Sequence, residues 1–171
     1  MITFLGTVVV TTEGLNDELE PCFKQIVLGK PIKRPTIIDP VLPELVYKLA
    51  QGNGTQPPIP CVLGKTYGTD DFFEGQARLD GALCEYTLED QKTFLARLYD
   101  LGVRNIEMES PCMAAFCKRL NIPCLIICCA LLNRLEGDQI TSTPEQLALF
   151  SLNAQEVVLR FLEYKLLLEK K

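Results

Sequence analysis

An eleven-residue run without a single polar side chain, Ile122 to Leu132, constrains the fold of this chain more than any other segment. A strand with one solvated face alternates apolar and polar residues, whereas a strand covered on both faces reads as continuously apolar. A bilayer-spanning helix needs about twenty such residues, so the run is too short to cross a membrane. It is therefore expected as a central strand buried on both sides. That requires a sheet with helices packed on both of its faces.

The remaining sequence supplies such elements. Gly6 to Thr12 is short and β-branched and reads as a strand, and Cys61 to Tyr67 reads as another. Leu42 to Gln51 places Leu45, Val46 and Leu49 on one helical face, with Gly52 just beyond its end. Thr87-Leu88-Glu89-Asp90 resembles a capping box with Asp in the usual Glu position. It opens a helix striped by Phe94, Leu95 and Leu98, which stops near Gly102. Val103 to Glu109 follows as a strand. Ser110-Pro111 then starts a helix, with the Ser110 hydroxyl as cap and Met113, Phe116, Cys117 and Leu120 turned inward. Thr143-Pro144-Glu145-Gln146 caps a last helix that runs to about Leu168. Glu13 to Thr36, punctuated by Pro21, Pro31 and Pro35, is expected to be irregular or partly helical. Strands alternating with helices give an α/β fold, a three-layer αβα sandwich around a mostly parallel or mixed sheet. With 171 residues, the chain forms one domain, 1–171.

Composition removes several kinds of chemistry. A net charge of −5 argues against a nucleic-acid partner, which requires a basic face. There is no histidine, which excludes Ser-His-Asp and Cys-His catalysis and every zinc site built on imidazole. No two CxxC pairs are present for a Cys₄ zinc site. The eight cysteines are not spaced as a disulfide framework, and Cys124, Cys128 and Cys129 fall inside the apolar run, where they act as small hydrophobes. The opening Met1-Ile2-Thr3-Phe4 lacks the charged start of a secretory signal. A reducing, cytoplasmic location without membrane attachment is the expectation.

In open α/β sheets, ligands gather beyond the carboxyl ends of the strands. Three polar segments fall there. In the first, Gln76 and Arg78 stand two apart, so in an extended stretch they point the same way. The Gln amide offers one donor and one acceptor, matching the adjacent N–H and carbonyl of a uracil edge. An arginine beside it can stabilise negative charge that develops on a departing base. A solvated loop with a surface arginine is the alternative. In the second, Glu107 and Glu109 lie about 6.6 Å apart along a strand. Their carboxylates suit the vicinal hydroxyls of a ribose, a divalent metal, or simply solvent at a strand end. Phe72 and Phe73 offer a stacking face for a planar base, or core packing. The third segment is the polar loop Asn133 to Asp138.

Taken in order, these segments resemble a known family. Phe72-Phe73-Glu74-Gly75-Gln76-Ala77-Arg78-Leu79-Asp80-Gly81 looks like the base-recognition loop of eukaryotic-type uridine phosphorylases. Val103 to Ser110 resembles the ribose-binding strand of the wider nucleoside phosphorylase family, and Leu131 to Ile140 the loop that closes over the base. With Gly6 to Thr11, the similarity spans nearly the whole chain. The resemblance implies reversible phosphorolysis of uridine to uracil and ribose 1-phosphate, a pentosyl transfer in pyrimidine nucleoside catabolism and salvage. Phosphate would be the co-substrate, with no cofactor and no metal. It implies that Gln76 and Arg78 read the uracil and take part in catalysis, with Phe72 lining the base. Glu107, Met108 and Glu109 would hold the ribose, with Glu109 on its hydroxyls. Leu131, Leu132 and Ile140 would line the apolar side of the base, with Arg134 near the uracil edge. Purine-specific relatives typically carry Ser-Asp where this chain has Asn133-Arg134, and an arginine has no proton to give at neutral pH. Pyrimidine specificity is the expectation.

The family's phosphate-binding elements precede the strand matched by Gly6 to Thr11, and Met1 to Leu5 contain none of them. The resemblance thus covers the carboxy-terminal portion of the fold. It implies a homodimer in the full-length form, and exposed sheet edges and apolar surface in this chain. A catalytically silent nucleoside-binding or regulatory chain is the alternative to an active enzyme.

Overall fold

The computed structural model describes residues 4–169, so Met1–Thr3 of the opening segment lie outside the described residues. In chain order the elements are β1 (Val8–Leu15), β2 (Cys22–Val27), β3 (Lys30–Pro35), α1 (Leu42–Ala50) and β4 (Cys61–Gly68). They continue with α2 (Leu88–Asp100), β5 (Val103–Glu107), α3 (Ser110–Arg119), β6 (Ile127–Cys129) and α4 (Pro144–Glu169). The architecture is the expected α/β sandwich, built on a four-stranded mixed sheet in the order β5-β4-β1-β6. Strand β4 pairs in parallel with both β1 and β5, while β6 runs antiparallel to β1. Among the described residues, no helix is long and apolar enough to cross a membrane.

Three clusters of buried side chains hold the layers together. Val8 and Val10 of β1 pack against Val46 and Ala50 of α1 and Val157 of α4. Leu15 and Tyr67 meet Leu98 of α2 and Val103, and Ile38 meets Ala114 of α3 and Cys124. Full burial of a side chain such as Val8 or Val46 contributes roughly 1.5–3 kcal/mol. The capping box at α2 is complete: the Thr87 hydroxyl accepts from the Asp90 N–H, and the Asp90 carboxylate accepts from the Thr87 N–H. Arg160 of α4 is buried and donates to the carbonyls of Leu49 and Ala50 at the end of α1. A cation there answers both the orphaned carbonyls and the negative end of the helix dipole.

Three expectations are corrected. Glu13 to Thr36 is neither irregular nor helical: β1 continues to Leu15, and β2 and β3 form an antiparallel hairpin. Its two-residue turn, Leu28-Gly29, has φ of 51° and 77°, the primed geometry that matches strand twist. The prolines that argued against strands are tolerated because this two-stranded sheet consists of edges only. The apolar run supplies an edge strand rather than a central one. Only Ile127–Cys129 are strand, although the Ile126 carbonyl accepts from the Thr11 N–H and the Ala130 N–H reaches the Thr7 carbonyl. Helix α3 buries Ala114 and Ala115 and leaves Met113, Phe116 and Leu120 exposed. Small residues face inward there because the helix start sits hard against the sheet: a Cβ on Gly68 would stand 2.2 Å from Cδ of Pro111. Large apolar side chains also lie exposed along α4, at Leu149, Leu152, Leu159, Leu162 and Leu166.

Candidate active site

One cavity of about 700 Å³ is lined from both edges of the sheet, by Asn105 to Glu107 of β5 and by Cys128 and Cys129 of β6. A sheet whose two edges face one cavity must curl around it. The inner face carries a polar ladder across three strands: the hydroxyls of Thr11 and Thr66 lie 2.7 Å apart, and Thr66 donates to Oδ1 of Asn105 at 2.8 Å. Nδ2 of Asn105 is buried with no hydrogen-bond partner. Beside it, burial first and then the Glu107 charge push the Cys128 thiol up to about 12, so it remains neutral and unreactive.

All ten site residues expected from the sequence line this cavity. Phe72, Gln76 and Arg78 reach it from the segment after β4. Glu107, Met108 and Glu109 reach it from the end of β5. Leu131, Leu132, Arg134 and Ile140 reach it from the segment after β6. Phe73 does not line it; its ring meets that of Phe72 edge-on, with centroids 5.1 Å apart.

Gln76 and Arg78 do not share a face by extended alternation, because their segment is a turn. The Ala77 N–H returns to the Glu74 carbonyl and the Arg78 N–H to that of Phe73. Gly75 is required at this point: a Cβ there would stand 2.2 Å from Oγ1 of Thr69. Ala77 adopts φ of +52°, a left-handed conformation that costs an alanine about 1 kcal/mol or more. That backbone reversal leaves Gln76 and Arg78 both buried and both on the cavity.

Two arginine–aspartate pairs brace this end, and neither was evident from spacing. Arg78 donates from Nε and Nη2 to the two oxygens of Asp80 at 2.8 and 2.6 Å. The hydrogen bond to Asp80 holds the guanidinium above its ordinary pKa, and the same bond holds the Asp80 carboxyl below its own. The Arg78 guanidinium carbon also lies 4.5 Å from the Phe72 ring centroid, and the Tyr86 hydroxyl donates to the Arg78 carbonyl at 2.5 Å. Arg134 donates from Nε to Oδ1 of Asp138 at 3.1 Å, its Nη2 forms an ion pair with the same oxygen at 2.8 Å, and its Nη1 is buried without a partner. Gln91 of α2 is also buried and bonds both Ala77 and Asp138. Asp80, Asp138, Gln91 and Tyr86 escaped sequence reasoning; the one available signal was the density of charge inside the two matched loops.

At the other end, strand β5 stops at Glu107, so Glu107 and Glu109 are not alternate residues of one strand. Glu109 occupies the N-cap position of α3, which Ser110 was expected to hold. The Glu107 carboxylate turns back onto that helix, accepting from the N–H groups of Glu109 and Ser110 at 2.8 Å each and from the Ser110 hydroxyl. The Glu109 carboxylate is exposed and accepts only a 3.3 Å bond from the Met108 N–H. Among the described residues, no three or more His, Cys, Asp or Glu side chains stand together as a metal site. The cavity therefore brings together guanidinium and amide donors, carboxylates and apolar walls. That distribution suits a neutral planar ring joined to a polyhydroxylated group.

The phosphorylase superfamily model matches residues 3–163. Among curated proteins, the chain is 49% identical over 141 residues to the uridine and thymidine phosphorylase of Caenorhabditis elegans, covering 82% of this chain and 46% of that protein. It is 41% identical over 161 residues to uridine phosphorylase 1 of Mus musculus, covering 94% of this chain and 51% of that protein. The solved structure of uridine phosphorylase from Schistosoma mansoni in complex with 5-fluorouracil matches with a TM-score of 0.89 at 33% identity, over 95% of this chain and 56% of that one. The chain thus spans about half the length of the curated relatives it matches.

Proposed function

The chain belongs to the phosphorylase superfamily, and from that premise we propose that it carries the nucleoside-recognition part of a uridine phosphorylase. The reaction is reversible: uridine and phosphate give uracil and ribose 1-phosphate. The observation that carries this reading is the convergence of three segments, distant in sequence, on one cavity that holds both donors and carboxylates. In the forward direction the bond between the sugar C1′ and the base nitrogen breaks, and its electron pair leaves with the base. A phosphate oxygen forms the new bond to C1′, and the uracil anion takes a proton from solvent.

In this reading the Gln76 amide pairs with the N–H and carbonyl edge of uracil, and Arg78 donates to the remaining carbonyl. Arg78 suits this step because Asp80 fixes its guanidinium in place before substrate arrives, so little reorganisation accompanies the developing negative charge. Phe72 lines the base. Arg134 lies near the uracil edge, held there by Asp138. Leu131, Leu132 and Ile140 form the apolar side. Glu109 accepts from the ribose hydroxyls, next to Met108, with Glu107 behind it. A cytoplasmic setting fits the eight free thiols. Phosphate as co-substrate and a homodimer of the full-length form belong to the same proposal.

The test is phosphate-dependent release of uracil from uridine by the purified chain, with calorimetry of uridine and adenosine alongside. Uridine binding tighter than adenosine is the expected result, and turnover that rises with phosphate would show that this portion of the fold also completes the reaction. Uridine binding without turnover at any phosphate concentration would identify a silent nucleoside-binding chain. Tighter binding of adenosine would overturn the pyrimidine assignment.

A further inference from the structure

We infer that Asp138 is a positioning residue that latches the two base-end loops together and aims Arg134 into the cavity; this rests on the nucleoside reading above. Asp138 is nine-tenths buried, with a side-chain exposure of 9%, yet no part of the proposed chemistry calls for it. Its Oδ2 accepts the backbone N–H of Leu79 at 2.8 Å, from the Gln76–Arg78 side. Its Oδ1 accepts Arg134 from its own loop. Nε2 of Gln91 reaches its two oxygens at 3.2 and 3.4 Å and ties both loops to α2. Nε2 of Gln91 and Nη2 of Arg134 also meet at the Ala77 carbonyl, at 2.7 and 3.3 Å. The left-handed Ala77 is thus held in place by the same groups.

The latch is reciprocal. Asp138 of the second loop accepts from Leu79 of the first, while Asp80 of the first accepts from Gln139 of the second. Separating the loops strips donors from both carboxylates, at the greater cost for the buried Asp138. With Nε and Nη2 of Arg134 bound to Asp138 and Ala77, its one unpartnered nitrogen is Nη1. A buried guanidinium nitrogen without an acceptor is costly. Arg134 lines the cavity, so Asp138 converts a side chain that could sample many rotamers into a fixed part of the cavity wall.

Asp138→Asn keeps the shape but turns an amide nitrogen toward a donor, either the Leu79 N–H or Arg134. Calorimetry of the 171-residue chain should then show uridine and free uracil binding weakened alike, by about tenfold or more, the scale of a hydrogen bond to a charged group. Because Asp138 acts in part through Arg134, the double variant Asp138→Asn/Arg134→Met should lose clearly less affinity than the sum of the two single losses. A general folding defect would instead add its loss to that of Arg134→Met. Wild-type affinity in Asp138→Asn, or full additivity in the double variant, would overturn the inference.

Hydrogen exchange on the wild-type chain supplies an independent reading should Asp138→Asn fold poorly. The Leu79 amide and the Arg134 Nε–H are expected to exchange slowly without ligand, and fast exchange at both would overturn the latch. If the wild type binds no uridine while these protons are protected, the nucleoside reading fails and the latch stands.

Discussion

The part of the cavity proposed to hold the base and the part proposed to hold the ribose are built on opposite plans. At the base end, Arg78 and Arg134 are each paired with an aspartate, and the loops that carry them are bonded to each other and to α2. At the ribose end, Glu107 is bound to the first turn of α3, and the Glu109 carboxylate is exposed with a single contact. A rigid end suits a planar ring whose hydrogen-bonding edge is fixed. An open carboxylate suits hydroxyls that rotate to meet it. In the proposed reaction, preorganisation where charge develops on the base also lowers the cost of stabilising that charge.

The sharpest way to break this contrast is Arg78→Ala. The variant removes the best-fixed donor of the base end, while Asp80 remains partly exposed and still bonded to Gln139. Uridine and uracil affinity should both fall by about a hundredfold, the upper range for charge-assisted hydrogen bonds. Calorimetry with the two ligands measures this. Loss of uridine affinity alone would place Arg78 on the sugar and reverse the assignment of the two ends.

A smaller and more selective effect is expected at the other end. Glu109→Gln retains a hydrogen-bonding group but loses the charge, so uridine affinity should fall by about tenfold. Uracil, which has no ribose, should bind as it does to the wild type. The same pair of titrations reads both outcomes, and an equal loss for uracil would remove Glu109 from the ribose.

How much of this contrast could be read in the sequence depends on how local its determinants are. Helix α2 was legible because Thr87 and Asp90 satisfy each other within one turn, and α4 because Thr143 and Gln146 do the same. The three cavity segments were legible because strand ends are where polar side chains of an α/β sheet collect. The hairpin was not, since Pro31 and Pro35 read as breakers until β3 is known to pair along one edge only. Nor was the edge position of Ile127–Cys129, which is only half-buried: continuous apolar character fixes neither burial on both faces nor strand order. The latching residues were hidden for a different reason. Asp138 meets Leu79 across 59 positions and Gln91 across 47, so no spacing rule connects them. Ala77 gave no warning either, because nothing in its side chain announces a left-handed backbone.

The smallest effect concerns Glu107, where sequence and structure point to different duties. Alternation with Glu109 suggested a second ribose carboxylate, yet its oxygens already accept three donors at the start of α3. A carboxylate there satisfies orphaned N–H groups and faces the positive end of the helix dipole. It also lies against Gly68, where a Cβ would come within 2.8 Å of Oε1, so the side chain has little room to swing toward a ligand. Glu107→Gln should therefore cost about 1 kcal/mol of folding stability, the usual scale for a lost cap. Denaturant unfolding measures that loss, with uridine affinity expected to stay near the wild-type value. A tenfold loss of uridine affinity without a change in stability would put Glu107 on the ribose beside Glu109, and the contrast between a braced base end and an open ribose end would then collapse.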